Sequence, residues 1–192
     1  MDRMVRTLFI VTFLAACGSG DDSSTSAAAR LAAFDDAFAD ITAAGVTPVN
    51  QLPTEGSISY VGDMRLGLPL GPSGAVTPYL GRLQATVHFD DSLPPLSGTI
   101  GAFAGPQGAL SGELEIYDGS LNPGADPDDD YQFAAKLTGR LSDGPTEYDL
   151  SGDVAGDFYG RTADAVAGVA FGTISDGSEL DRFDGTFAAV SP

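Results

Sequence analysis

The sequence predicts an all-β domain of about eight short antiparallel strands, a sandwich or a barrel, behind one N-terminal helix. Three observations predict this class. From residue 57 onward apolar and polar residues alternate in short runs, as in half-buried strands. Turn-forming residues separate these runs at fairly regular intervals. Finally, glycines recur at one position within the runs, and this points to a small closed sheet.

Five segments share a pattern in which a glycine lies two residues from a bulky apolar residue on either side. They are residues 96–100, 110–114, 137–141, 150–154 and 183–187. Because side chains alternate along a strand, each glycine faces the same side as its apolar neighbours, toward the core. An inward glycine lets a strand bend or a neighbouring side chain cross it, as a closed sheet requires. The longest such stretch is LSGDVAGDFYG at residues 150–160, which begins with this pattern and continues the alternation.

Residues 1–17 predict an export signal. A basic start precedes the apolar run TLFIVTFLAA at 7–16, which is too short to span a bilayer as a helix. Residues 14–17 (LAAC) resemble the bacterial lipobox, in which the cysteine is acylated and becomes the mature N-terminus. This resemblance implies lipidation at Cys17. Gly18 follows, rather than the aspartate that marks inner-membrane retention, so the resemblance implies the outer membrane.

Between the leader and the strands, the sequence predicts a tether, a helix and a connector. Residues 18–26 contain no apolar side chain and indicate a flexible tether. An apolar stripe at helical spacing predicts a helix over 27–44, ended by Gly45 and Pro48, with the connector reaching residue 52. The stripe consists of Leu31, Phe34, Phe38 and Ile41. We expect it to pack on the following domain, with a separate protein partner as the alternative.

The strands fill residues 53–192. Ile58 and Tyr60 open the first strand, which 64–70 continues. The others are predicted at 80–90, 96–104, 110–117, 131–141, 150–160, 165–174 and 182–190. In the fifth, Gln132, Lys136 and Arg140 alternate with the apolar set and should face water. Seven residues are expected to fill the interior: Phe89, Leu114, Phe133, Leu137, Phe158, Phe171 and Phe187.

The charge excludes several classes of function. Nine lysines and arginines against 27 aspartates and glutamates give a net charge of −18, which repels nucleic acids and anionic lipid headgroups. Polar and charged residues alternate with the apolar set, so the barrel should have a wet outer face, unlike a membrane-spanning barrel. One cysteine, one histidine and no tryptophan leave little room for thiol or metal chemistry.

No enzyme motif occurs, so we expect a protein that is not an enzyme. His88 is interpreted as a solvated surface residue, and the alternative is a haem ligand, with Tyr60 or Tyr159 as phenolate ligands instead. Tyr60 is otherwise expected in the core and Tyr159 at the rim. A cluster of Asp126, Asp128, Asp129 and Asp130 has the oxygen ligands that calcium prefers. It lacks the calcium-loop pattern, and a solvated loop is the favoured interpretation.

Several segments together resemble the C-terminal barrel of transferrin-binding protein B and of smaller bacterial surface lipoproteins. They are GSISYVG at 56–62, the strand ending in VHF at 87–89, GDVAGDFYG at 152–160, AGV at 167–169 and FDGTF at 183–187. The resemblance covers about residues 53–190. It implies an eight-stranded antiparallel up-and-down barrel, display on a Gram-negative cell, and binding of a host or nutrient ligand. We therefore expect a single barrel, without the second lobe and the separate handle domain of that family.

The first functional hypothesis is therefore a non-enzymatic, monomeric outer-membrane lipoprotein whose barrel loops bind a protein or an iron- or haem-bearing ligand. It would contact the membrane only through its N-terminal lipid and need no cofactor, with haem as the exception. The alternative is a lipocalin-like carrier holding a small apolar ligand inside the barrel. A structural envelope protein or an enzyme without a known motif forms the third class.

Overall fold

The structure, a computed structural model, describes residues 22–90, 93–126 and 129–192, without the side chains of 22–26. Helix α1 spans Asp22–Ala43, and a 3₁₀ turn follows at Val49–Gln51. The strands are β1 Ser57–Leu68, β2 Thr77–His88, β3 Leu96–Gly105, β4 Gly108–Leu121, β5 Phe133–Ser142, β6 Glu147–Tyr159, β7 Ala165–Ser175 and β8 Leu180–Val190, with a second 3₁₀ turn at Pro72–Gly74.

The eight strands form one closed barrel in which each strand pairs antiparallel with its neighbours in sequence. The barrel is closed by β1 and β8, whose ladder runs from Val61 opposite Val190 to Gly67 opposite Asp184. The predicted eight-stranded up-and-down barrel behind one helix is confirmed. The connector between α1 and β1 passes over the end of the barrel where β2, β4, β6 and β8 finish. We call this end the connector end.

The inward-facing side chains of the alternating strands fill the barrel. The residues with the largest fully buried side chains are Tyr60, Phe103, Phe158, Met64, Leu66, Leu68, Leu80, Leu83, Ile100, Leu114, Leu137 and Leu141. All except Leu80 belong to the interior cluster, while Leu80 packs under α1 on the outer wall. Burying these side chains is the main stabilising contribution to the fold.

The repeated glycines lie where adjacent strands approach closely. A Cβ atom on Gly152 would lie 2.2 Å from the carbonyl oxygen of Phe171 on β7, and one on Gly185 would lie 2.3 Å from that of Arg65. The residues flanking them, such as Leu150 and Val154, are buried as predicted. The missing side chain therefore allows two backbones to come together, and the barrel can curve at that point.

Gly152→Ala is expected to lower the free energy of unfolding by about 2–3 kcal/mol, because the added methyl group would meet backbone and cannot be relieved by a rotamer change. Gly101→Ala is the matched control, since its Cβ would lie 3.7 Å from the nearest heavy atom, a side-chain oxygen. That variant should be neutral or up to about 1 kcal/mol more stable. Urea unfolding measures both, and equal stabilities would contradict the close-approach explanation.

Phe171 corrects the predicted interior. It points outward on β7 and is 51% exposed, opposite Asp153 and Asp184. The inward residues there are Ala170 and Gly172. The prediction failed because almost every residue of the segment AVAGVAF is apolar or glycine, so alternation does not distinguish its two faces. Of the other six predicted residues, Phe89 is half-buried against the core and the rest are buried.

Helix α1 lies on the outer wall of the barrel. Phe34 packs on Leu80, Ala167 and Ala188, with the rest of the predicted stripe and Tyr159 partly buried around them. An Arg65–Asp35 ion pair and the Arg65 guanidinium, 5.5 Å from the centre of the Phe34 ring, hold the helix to β1. Within the described residues, no helix is long and apolar enough to cross a membrane.

The helix also begins earlier than expected. It starts at Asp22, within the predicted tether, and residues 18–21 lie outside the described part of the chain. The difference has a physical reason, since a helix is held by hydrogen bonds within its own backbone and does not require apolar side chains in its first turns. The predicted leader and Cys17 also lie outside the described residues.

Candidate binding site at the connector end

The connector is attached to one end of the barrel by backbone hydrogen bonds and one side-chain hydrogen bond. The Thr47 N–H donates to the carbonyl of Phe158 at 2.7 Å, and its hydroxyl donates to the carbonyl of Gly160 at 2.8 Å. The Gly160 N–H donates in turn to the Gly45 carbonyl, and Val46 forms a β-bridge with Tyr159. The connector is thereby fixed to the end of β6, so it forms part of a rigid rim.

A buried glutamine joins three segments at this rim. Gln132 is 1% exposed; its Nε2 donates to the Thr47 carbonyl at 2.8 Å, and its Oε1 accepts the Phe158 N–H at 2.9 Å. Its backbone N–H donates to Asp157, and its carbonyl accepts the N–H of Asn122. The outward position predicted for Gln132 is wrong, because this residue lies before β5 begins, beneath the connector, where strand alternation does not apply.

An open recess of about 400 Å³ lies beside this junction. Three segments line it: the connector, the end of β2 with its loop, and the loop between β4 and β5. The lining residues are Val49, Leu52, Pro53, Thr54, His88, Phe89, Asp90, Pro95, Leu121, Asn122, Pro123 and Gln132. We call this surface the rim recess. Its walls are mostly apolar with a few polar groups, a composition typical of ligand sites.

The structure separates the predicted haem ligands. His88 is half-buried and lines the rim recess, and its backbone N–H donates to Pro95 at 2.8 Å. Tyr159 does not line the recess and packs beside the helix cluster on the outer wall. Tyr60 is in the core, as predicted, and its hydroxyl donates to the Ala163 carbonyl at 2.8 Å. Only His88 is therefore placed where a ligand in the recess would meet it.

The interior offers little space. The cavity lined by Tyr60, Leu83 and Phe133, among others, has a volume of about 20 Å³. This is about the volume that one water molecule requires. A small apolar ligand of the kind that lipocalins carry would have to displace core side chains, so the geometry favours binding outside the barrel.

Asp157 is a carboxyl group with a raised pKa near the recess. It is 7% exposed, and its Oδ1 accepts the N–H of Gln132 at 3.0 Å. Burial raises the pKa of Asp157, and the hydrogen bond offsets only part of this effect. Tyr159 has its own pKa raised by burial, and then by the charge of Asp157. Ionised Asp157 is thus tolerated at a cost to stability.

Asp157→Asn is expected to stabilise the protein at about pH 7, because an amide keeps an acceptor for Gln132 without a buried charge. A raised pKa in the folded state means that ionisation destabilises the fold above the ordinary aspartate pKa. The advantage of the variant should therefore shrink as the pH falls through the folded pKa and vanish near pH ~3. Urea unfolding of both proteins over this range measures it. An advantage that grows on acidification would contradict the raised pKa.

The predicted calcium cluster remains a prediction. The carbonyl of Asp126 accepts the N–H groups of Asp129 and Asp130, at 3.0 and 2.7 Å, so the loop turns tightly there. Asp128 lies outside the described residues. Among the residues that are described, no three histidine, cysteine or acidic side chains lie close enough to hold a metal ion.

The rim recess has no sequence motif. It combines residues near positions 50, 90 and 122, whose types are ordinary for turns and strand ends. His88 stands out in the sequence as the only histidine, whereas nothing in the sequence distinguishes the connector or Gln132 as part of a site. The one available signal is the pair of prolines, Pro48 and Pro53, in the segment predicted as a connector.

Among known proteins, solved structures are similar to the chain. No protein-family model matches it, and no curated protein matches it significantly. Two solved structures that are similar to it are a double mutant and a single mutant of the vaccine antigen Transferrin Binding Protein B (TbpB) from Haemophilus parasuis Hp5. Their identities to this chain are 17% and 19%, each with a TM-score of 0.46. In both, the match covers 76% of this chain and 28% of the solved chain. The likeness concerns the barrel fold and carries no conclusion about family membership or ligand.

Proposed function

We propose that this chain is a non-enzymatic surface lipoprotein whose barrel binds a host or nutrient ligand at the rim recess. The observation that carries the proposal is where the open space lies. The interior cavity lined by Tyr60, Leu83 and Phe133 measures about 20 Å³, whereas the rim recess measures about 400 Å³ and is formed by loops on a closed sheet. Rigid scaffolds of this kind commonly present binding residues on their loops.

Anchoring forms the second part of the proposal. Acylation of Cys17 would tie the protein to the outer membrane of a Gram-negative cell, and the strongly acidic chain would stay in water as a monomer. We also propose that the chain belongs to the family of transferrin-binding protein B and its smaller relatives. It rests on the sequence segments that resemble that family, not on the structural match. Metabolic labelling with an alkyne fatty acid should modify the native chain and not Cys17→Ser.

A haemin absorbance titration tests whether the ligand bears iron. If haem binds in the recess, a Soret shift should appear and be lost in His88→Ala, because His88 is the histidine in the recess wall. Tyr159→Phe is the matched control and should leave the shift unchanged, since Tyr159 lies on another surface. A shift that depends on Tyr159 instead would contradict the recess as the haem site.

Binding of a protein ligand is tested by filling the recess. Thr54→Trp should weaken capture of the partner at least tenfold, because the indole would occupy space at the recess wall. Ala75→Trp places the same side chain on the opposite end of the barrel, after the Pro72–Gly74 turn, and should have no effect. If Thr54→Trp and Ala75→Trp captured the partner equally well, the partner would bind outside the rim recess. The proposal fails if neither haemin nor a partner responds to changes in the recess.

A further inference from the structure

A groove separate from the rim recess runs between α1 and the outer wall of the barrel. Its volume is about 310 Å³, and strands β1, β2 and β8 form its floor. Ala33, Ala37 and Ile41 form the helix wall, and Val61 and Val190 form the barrel wall. These two valines remain 40% and 48% exposed, so nothing in the described chain covers the groove. We call it the helix groove.

One end of the helix groove carries charge. The carboxylate of Asp63 lies between two guanidinium groups, 3.7 Å from that of Arg30 and 3.5 Å from that of Arg82. Both contacts are long, and the two arginine side chains stay 41% and 59% exposed. Two cations against one anion leave a local excess of one positive charge on a chain whose net charge is −18.

The other end is apolar. Ile41 lies eleven residues after Arg30 on α1, about 16 Å along the helix axis at the usual rise. Between them the groove passes Ala33 and Ala37 on the helix and Val61 on β1. The small alanine side chains keep the groove open along this length. A head group with a negative charge and an extended hydrocarbon chain would match both ends.

We propose that the helix groove binds a single-chain anionic amphiphile, a medium-chain fatty acid, with its carboxylate at Arg30 and Arg82. A guanidinium group presents a planar fork of N–H donors that fits a carboxylate, and each arginine here has donors that Asp63 does not fully use. The hydrocarbon chain would cover Ala37, Val61 and Ile41 and remove their apolar surface from water. A cationic amphiphile would instead bring a third positive charge to this end.

Calorimetric titration of the full chain with laurate tests the head-group end. The chain carries Cys17→Ser, so that no acyl group of its own competes for the groove. Laurate should bind saturably at one site, and dodecyltrimethylammonium should not. Arg82→Gln should weaken laurate about tenfold, as the loss of one charge-assisted hydrogen bond predicts. Arg182→Gln also removes one positive charge, but Arg182 lies on β8 about 20 Å from Ala188 in the groove floor, so laurate affinity should not change.

Filling the groove tests the apolar end. Ala37→Trp should abolish laurate binding, while Ala39→Trp, on another face of α1 and outside the groove, should keep it. Thermal unfolding verifies that both variants are folded. Thr54→Trp at the rim recess should also keep laurate binding, which separates this inference from the proposed function. Absence of saturable laurate binding to the folded protein would overturn the inference, as would equal binding by Ala37→Trp and Ala39→Trp.

Discussion

Gln132→Ala is expected to lower the free energy of unfolding by about 3–5 kcal/mol. The side chain is 1% exposed and satisfies two buried backbone groups, the carbonyl of Thr47 and the N–H of Phe158. Alanine would leave both without a partner, at about 1–3 kcal/mol each, and would add a small cavity. Urea unfolding measures the total. Hydrogen exchange of the Phe158 amide should also become faster, because that N–H loses its acceptor.

Gln84→Ala is the matched control. Gln84 lies on β2, exposed on the outer face, so its removal should change stability by no more than about 0.5 kcal/mol. If Gln132→Ala were as stable as Gln84→Ala, the connector would be held mainly by Thr47 and its hydrogen bonds to Phe158 and Gly160. The rim recess would then remain rigid without the glutamine, and its shape should not depend on this residue.

The strands and the parity of their glycines could be predicted from the sequence because both depend on local alternation. In residues 150–160, for example, Leu150, Val154 and Phe158 face inward as expected. A closed sheet imposes the same period of two on every strand, so the pattern survives without knowledge of neighbours. The repeated inward glycines predict only that the sheet closes, and the β1–β8 ladder that closes it is a finding of the structure.

Alternation fails where tertiary packing covers the outer face. In β7 the outward residues Ala165 and Ala167 are buried, with Ala167 beneath α1, whereas Phe171 on the same face is exposed. A strand that is apolar on both faces is a sign of cover on both sides. The sequence therefore contained a signal that the helix lies against β7, although it could not say which face is the interior.

The candidate sites could not be predicted because they arise from juxtaposition. The rim recess joins segments about 40 and 30 residues apart, and the helix groove joins α1 to β1, β2 and β8. Strand alternation places Gln132 on the same face as Lys136 and Arg140, which is the face exposed to water. What decides its burial is the connector, whose path depends on hydrogen bonds to the end of β6.

Phe158→Ala is expected to cost about 3–5 kcal/mol and to lower Tm by roughly 10 °C. The ring is 0% exposed, and its centre lies 5.1 Å from that of Phe133, 5.6 Å from that of Phe89 and 6.5 Å from that of Tyr60. Its removal would leave a cavity at the connector end and break contacts among four rings, which contribute beyond their buried area. Differential scanning calorimetry measures the loss.

Phe171→Ala is the control with the same chemical change on the outer face. Because this ring is 51% exposed, its loss should cost less than about 1 kcal/mol. Similar losses for the two variants would mean that Phe171 is buried and that the register of β7 is shifted by one residue. Phe158→Ala should also couple to Gln132→Ala, since Gln132 accepts the Phe158 N–H that the aromatic cluster holds in place. The double variant should then lose less than the sum of the two single losses.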